Sequence, residues 1–169
     1  LFARAADAPV VGITGTNGKS TVTTLVGQMA ERAGIRVRVG GNLGTPALDL
    51  IDGAAPELYV LELSSFQLDA TRTLRLLAAT VLNLSSDHMD RYAGMAEYAA
   101  SKARIFERCG TAVINADDPW VPDMVRGGQR VRSFSVAAGG AANYRIEQRD
   151  GAAWLVCDGE PLLPVAELR

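Results

Sequence analysis

Gly15-Thr16-Asn17-Gly18-Lys19-Ser20-Thr21 gathers two glycines, a lysine and three hydroxyls into seven consecutive residues. Glycines let successive backbone N–H groups turn onto one anion. A helix opening near Gly18 adds free amides and the positive end of its dipole. Lys19 supplies a point charge for β- and γ-phosphates, and the Ser20 hydroxyl suits Mg²⁺. The chemistry indicated is the capture of a nucleotide polyphosphate. The spacing departs from the common phosphate-loop pattern, which wants a glycine at position 13. Ile13 stands there instead, with Gly12 one residue early and Gly15 too late. The run is therefore a variant loop of a narrower type; the competing reading is a glycine-rich turn opening an ordinary helix.

Three ionisable residues elsewhere could share that site. Glu62 lies inside the apolar run Leu58-Tyr59-Val60-Leu61-Glu62-Leu63, where a carboxylate either holds Mg²⁺ or marks the strand's surface end. His88, the single histidine, lies in Asp87-His88-Met89-Asp90-Arg91-Tyr92 just past another apolar run. It is either a metal ligand backed by a carboxylate or a structural residue. Lys102 and Lys19 are the only lysines among 17 cations; the rest are arginines. Arginine replaces lysine readily on a solvated surface, but not where a titratable amine is needed. At roughly 100° per residue, with Tyr98 at zero, Ile105 falls at about −20°, Cys109 at about +20° and Phe106 at about +80°. Lys102 falls at about +40°, inside the apolar arc. A buried amine loses charge stability and becomes a nucleophile when neutral. It can then add to CO₂ and form a carbamate, a carboxylate-like metal ligand. The alternative is a lysine that snorkels out from beneath a loop.

The elements that must position these groups follow from hydrophobic pattern. Pro9 to Thr14, Ile35 to Val39, Leu58 to Leu63, Ala78 to Leu84 and Thr111 to Asn115 read as strands. Gly18 to Ala33 reads as a helix with an apolar face of Val22, Leu25, Val26, Met29, Ala30 and Ala33, and Gly34 as its stop. Gly94 to Arg108 reads as a second helix. Continuous apolar strands alternating with helices predict an α/β fold with a mostly parallel sheet flanked by helices. Ligands of such sheets sit at the carboxyl ends of the strands. Beyond Val131 the helical period is lost. Val131 to Val136, Asn143 to Gln148, Ala153 to Val156 and Pro161 to Val165 predict a small antiparallel sheet, with hairpin signals at Asp150-Gly151 and Asp158-Gly159.

The 169 residues suffice for one domain with a real core, and 48% hydrophobic content excludes disorder. No apolar run approaches the roughly 20 residues that span a bilayer, so membrane insertion is not expected. A net charge of −2 gives no stripe for nucleic acid. Two isolated cysteines, Cys109 and Cys157, make no disulfide framework or zinc site and fit a reducing, cytoplasmic setting. The chain starts with Leu and reaches its phosphate loop almost at once, as expected of a piece of a longer protein.

Taken together the residues resemble the Mur ligase family of peptidoglycan synthesis. The stretches that carry the likeness are residues 15–21, Gly40-Gly41-Asn42-Leu43-Gly44, Leu61-Glu62-Leu63-Ser64-Ser65-Phe66-Gln67-Leu68, residues 87–92 and Asn115-Ala116-Asp117-Asp118. The runs over residues 61–68 and 87–92 look like the D-glutamate-adding member. The resemblance implies an ADP-forming amide ligase: ATP phosphorylates the carboxylate of UDP-N-acetylmuramoyl-L-alanine, and the amine of D-glutamate attacks the acyl phosphate. It implies that Gly15, Thr16, Asn17, Gly18, Lys19, Ser20 and Thr21 bind ATP, with Lys19 steadying the transferred phosphate. Ser20 and Glu62 would hold one Mg²⁺; His88 and a carbamylated Lys102 would hold a second. Asn42 and Ser64 would contact the nucleotide-sugar substrate. Residues 1–169 would be a truncated central domain, residues 1–9 a linker from an N-terminal domain, and a C-terminal domain would close over ATP; the fragment alone would be inactive. The rival readings are a sister ligase such as another Mur enzyme or a folylpolyglutamate synthase, a P-loop kinase or nucleoside triphosphatase, and a non-catalytic nucleotide-binding module.

Overall fold

The computed structural model describes residues 1–168. Its elements in chain order are α1 (Phe2–Ala5), β1 (Val10–Thr14), α2 (Lys19–Arg32), β2 (Val37–Gly41), β3 (Leu58–Glu62), α3 (Ser65–Ala70), β4 (Leu76–Val81), α4 (Met95–Ala103), β5 (Cys109–Asn115), β6 (Arg130–Ser135), β7 (Tyr144–Arg149), β8 (Ala152–Cys157) and β9 (Glu160–Pro164). The strands form one sheet in the order β2-β3-β1-β4-β5-β6-β7-β8-β9. Every pair from β2 to β6 is parallel. β7, β8 and β9 pair antiparallel.

The expected α/β architecture is therefore present, with two refinements. The strand over 130–135 belongs to the parallel part and not to the antiparallel group. That group is also no separate sheet: β7 meets β6 in parallel through Phe134 with Tyr144 and Ser135 with Arg145. The hairpin signals hold, since Asp150 and Gly151 have φ of 51° and 79°, and Asp158 and Gly159 of 50° and 93°. Positive φ at both central residues gives the turn twist that antiparallel strands need.

β1 lies between β3 and β4, and the chain winds in opposite directions on its two sides. From β1 it passes through α2 to the outer strand β2; from β3 it crosses through α3 to β4. The carboxyl end of β1 is thus the topological switch point, where parallel sheets leave a crevice for ligands. Burial explains why these segments became inner strands. Four of the five β3 residues, from Tyr59 to Glu62, are buried, and Val60, Val81 and Ala112 are wholly inaccessible. Phe2 of α1 packs edge-on to Tyr59 at 5.2 Å between ring centroids, joining the first residues to the core.

Helix α2 buries only Ala30 of the expected apolar face. Its buried residues are Thr23, Gly27 and Ala30, while Leu25 and Met29 are 51% and 68% exposed. The cause is close approach. A Cβ on Gly27 would lie 2.5 Å from Val39 Cγ2, so only a stripe of small residues lets α2 sit this near the sheet. Val22 and Val26 instead border an open groove of about 550 Å³ that also involves Val11, Thr80, Val113 and Phe134.

Element boundaries also differ from the hydrophobic pattern. β2 begins at Val37, not Ile35, because Gly34 (φ 80°) and Ile35 form the C-terminal cap of α2. The Gly34 and Ile35 amides donate to Glu31 O and Ala30 O at 2.9 and 3.0 Å, which satisfies orphan carbonyls of the last turn. The helix expected to reach Arg108 is α-helical only to Ala103; a 3-10 turn over Arg104–Phe106 then drops Ile105 and Phe106 into the core. Helix α3 and a 3-10 turn over Ala47–Ile51 were not legible as periodic segments. Among the described residues, no helix is long and apolar enough to cross a membrane.

Candidate functional site

The phosphate loop leaves β1 at the switch point, and Gly18 caps α2 in a left-handed conformation, φ 77°. A side chain there would be strained, so Gly18 is what lets the helix open directly behind the turn. The loop is strapped to the segment after β4. Thr16 N donates to Asn83 O at 3.0 Å. Asn17 N donates to Asn83 Oδ1 at 2.8 Å, and Asn83 Nδ2 donates back to Asn17 O at 3.0 Å. Thr16 Oγ1 donates to Ser85 O and accepts from Ser85 N. Lys19 Nζ folds onto Thr16 O at 2.9 Å. Thr21 is exposed in the first turn of α2.

Glu62 lies opposite Ile13 in β1 and Gly41 in β2. It is only 2% exposed, which excludes the reading of a solvated strand end. Its Oε2 accepts from Ser20 Oγ at 2.7 Å and its Oε1 from Asn42 Nδ2 at 2.8 Å. Ser20, Asn42 and Glu62, separated by up to 42 residues in sequence, are thus one hydrogen-bonded group. Gly41 makes this contact sterically feasible. Its φ is 104°, and a Cβ there would meet Glu62 O at 2.4 Å; Asn42 N then donates to that same carbonyl at 2.9 Å.

Lys102 lies where the helix geometry puts it, 2% exposed on the inner face of α4. Its Nζ donates to Gly15 O at 2.9 Å and Thr14 Oγ1 at 3.4 Å, and rests 4.8 Å from the Tyr98 ring centroid. It does not snorkel out. Burial, then the charge of Lys19, pushes the amine down to about 8, against a weaker opposing pull from Asp87. A neutral amine is therefore accessible near physiological pH.

His88 is half-exposed and adopts a left-handed backbone, φ 55°. Its carbonyl accepts from Arg91 N and Tyr92 N at 2.9 and 3.2 Å, fixing the turn. Its ring lies 4.9 Å from that of Phe66 and 6.4 Å from that of Tyr98, and Nε2 is 3.5 Å from Asp87 Oδ2. His88 and Lys102 both pack on Tyr98. Ser64 stands apart from this group: it caps α3 in a reciprocal box with Gln67, with Gln67 N on Ser64 Oγ at 3.2 Å and Ser64 N on Gln67 Oε1 at 2.9 Å.

Two residues important to the geometry were not singled out from sequence. Asn83 is a polar residue inside an apolar run, the same signal that flagged Glu62. Tyr98 served only as the reference of the helical wheel, yet it is 1% exposed, its hydroxyl is 3.4 Å from Thr16 Oγ1, and burial raises its ionisation.

The donor chemistry can be matched to a metal. Mg²⁺ takes oxygen ligands, keeps several waters and needs only one or two protein groups beside phosphate. The Ser20 hydroxyl against the Glu62 carboxylate fits that demand. No group of three or more His, Cys, Asp or Glu side chains forms an all-protein cage among the described residues.

The UDP-N-acetylmuramoylalanine–D-glutamate ligase of Methylococcus capsulatus is 56% identical over 169 residues, covering all of this chain and 37% of that protein. The enzyme of the same name from Escherichia coli is 51% identical over 170 residues, covering 38% of its length. The chain thus spans under two fifths of the curated relatives it matches. The crystal structure of MurF ligase from Thermotoga maritima in complex with ADP superposes with a TM-score of 0.71 at 19% identity, over 94% of this chain and 40% of that one. The model of the Mur ligase middle domain matches residues 13–155, from β1 into β8, so the chain belongs to that family.

Proposed function

We propose that the protein containing this chain is an ATP-dependent, ADP-forming ligase that joins D-glutamate to UDP-N-acetylmuramoyl-L-alanine. This chain would be its central nucleotide-binding domain, with residues 1–9 leading in from an N-terminal domain and a C-terminal domain completing the ATP site. It would work in the cytoplasm, where ATP and the nucleotide sugar are found. The observation that carries the reading is Lys102: a second lysine whose amine is buried 2.9 Å from Gly15 O. A phosphate loop that only hydrolyses a nucleotide needs one lysine, and that role is filled by Lys19. The 56% identity across the whole chain supports the choice of acceptor.

The residues divide the work by their chemistry. Loop amides from Gly15 to Thr21 and the Lys19 ammonium stabilise charge on the polyphosphate as the γ-phosphoryl moves. A carboxylate oxygen of the muramoyl substrate bonds to the γ-phosphorus, and the bond to the β-γ bridging oxygen breaks, releasing ADP. The D-glutamate nitrogen then bonds to the acyl carbon, loses a proton, and inorganic phosphate leaves. Ser20 and Glu62 would hold Mg²⁺, which screens phosphate charge. Neutral Lys102 adds through Nζ to the carbon of CO₂ and loses a proton, giving a carbamate; with His88 it would hold a second Mg²⁺. Asn42, tied to Glu62, would contact the nucleotide sugar, as would Ser64.

Trapping tests the reading. The full-length protein with ATP, Mg²⁺ and UDP-N-acetylmuramoyl-L-alanine, without D-glutamate, is treated with hydroxylamine. A hydroxamate of the muramoyl substrate is expected. ATP hydrolysis with no hydroxamate and no dependence on the nucleotide sugar would instead identify a triphosphatase.

A further inference from the structure

The Asn115-Ala116-Asp117-Asp118 run is the one stretch of the resemblance to which no role falls in the reading above. It is a turn that leaves β5 two strands away from the phosphate loop. Asp118 is 8% exposed. Its Oδ1 accepts from Trp120 N at 2.9 Å and Val121 N at 3.2 Å, which closes the turn on itself. Its Oδ2 reaches across to Leu84 N at 2.7 Å. Asn115 makes the same crossing two residues earlier: Nδ2 donates to Leu82 O at 2.8 Å while Oδ1 accepts from Asp117 N at 2.9 Å. The segment gripped at Leu82 and Leu84 is the one whose Asn83 and Ser85 grip Thr16 and Asn17 of the phosphate loop. Leu82 O and Leu84 N thus bond to the turn, while Asn83 and Ser85 bond to the loop.

We infer that Asp118, assisted by Asn115, is a positioning residue for the nucleotide: it sets the register of residues 82–85 and through them aims the amides of the phosphate loop. Asp117 serves a different purpose. It accepts from Ser135 Oγ, Val136 N and Ala137 N and fastens the turn to the end of β6, away from the loop. The inference rests on the ligase reading only for its assay.

Asp118→Asn is the informative change, because the amide can keep Oδ1 on Trp120 N and Val121 N while losing the acceptor for Leu84 N. In the full-length enzyme it should raise the KM for ATP about tenfold, the scale of one lost hydrogen bond to a charged group. The KM for D-glutamate should stay within twofold of wild type. Asp117→Asn should lower the melting temperature and leave the ATP KM unchanged. An Asp118→Asn enzyme with a lowered melting temperature and an unchanged ATP KM would overturn the inference, since that is what a purely structural residue gives. Should that variant not fold, Asn115→Asp removes the donor to Leu82 O and sets a carboxylate oxygen against that carbonyl, and an ATP KM within twofold of wild type there would overturn it equally. Wild-type enzyme showing no acceptor-dependent turnover would count against the ligase reading; the positioning claim would then be read from ATP affinity in the same variants.

Discussion

At the scale of single residues, Lys102 makes the sharpest demands. Its folded value near 8 lies below its ordinary 10.5. Between those values the unfolded chain holds a proton that the folded chain does not, so stability rises with pH across that window. Lys102→Met should therefore stabilise the chain below pH 8, with the advantage over wild type shrinking towards pH 10.5; denaturant titrations at several pH values measure this. The carbamate requires the neutral amine, so at fixed dissolved CO₂ its ¹³C signal should grow as pH rises through 8. In the full-length enzyme, Lys102→Ala should cost about 10²- to 10³-fold in kcat, the scale of losing one preorganised charge-stabilising group. A small added carboxylate should restore part of it; a variant that turns over normally would remove Lys102 from the site. Lys102 and Glu62 were legible in the sequence because each is a charge at a position the hydrophobic pattern marks as interior. Tyr98 was not, since an aromatic residue on an apolar arc looks like any core residue. What distinguishes it is which side chains come to it, and those arrive from the phosphate loop and the segment after β4.

At the scale of elements, the inner strands were legible because burial on both faces leaves continuous apolar runs. Helix α3 was not, because six residues carry less than two turns of periodicity. Its one signature is local: Ser64 and Gln67 at capping-box spacing. Ser64→Ala should cost about 1 kcal/mol of stability, read by urea denaturation; a cost near zero would show that the cap contributes nothing. The buried face of α2 was misjudged for a related reason. Hydrophobic pattern ranks Leu25 and Met29 above Gly27, but the distance between helix and sheet is set by the smallest residues on the facing stripe. Gly27→Val would have to displace Val39, and should therefore cost more than the 1 kcal/mol of the cap.

At the scale of the whole molecule, the switch point gathers groups that sequence could only suggest belonged together. Order along the chain explains which of them meet. Ser20 and Asn42 follow the carboxyl ends of β1 and β2, and Glu62 is the last residue of β3; the three strands are adjacent, so the groups converge without any long excursion. His88 sits on the loop after β4 and meets Lys102 at the Tyr98 ring, against which both pack. The sheet is not evenly covered: the groove beside α2 leaves Val11, Val113 and Phe134 along one opening. Parallel sheets are otherwise covered on both faces. The isolated 169-residue chain should accordingly bind a hydrophobic dye such as ANS and show no ligase turnover; dye fluorescence no higher than that of the full-length protein would indicate that the groove closes by itself.

The central claim is tested most directly by phosphate release from the full-length protein with ATP, Mg²⁺ and UDP-N-acetylmuramoyl-L-alanine, comparing D-glutamate with L-glutamate, L-lysine, meso-diaminopimelate and no amine. Release that requires both the nucleotide sugar and D-glutamate is the predicted result. Release with ATP alone, indifferent to every acceptor, would contradict the account, and release with another amine would keep the chemistry while moving the acceptor.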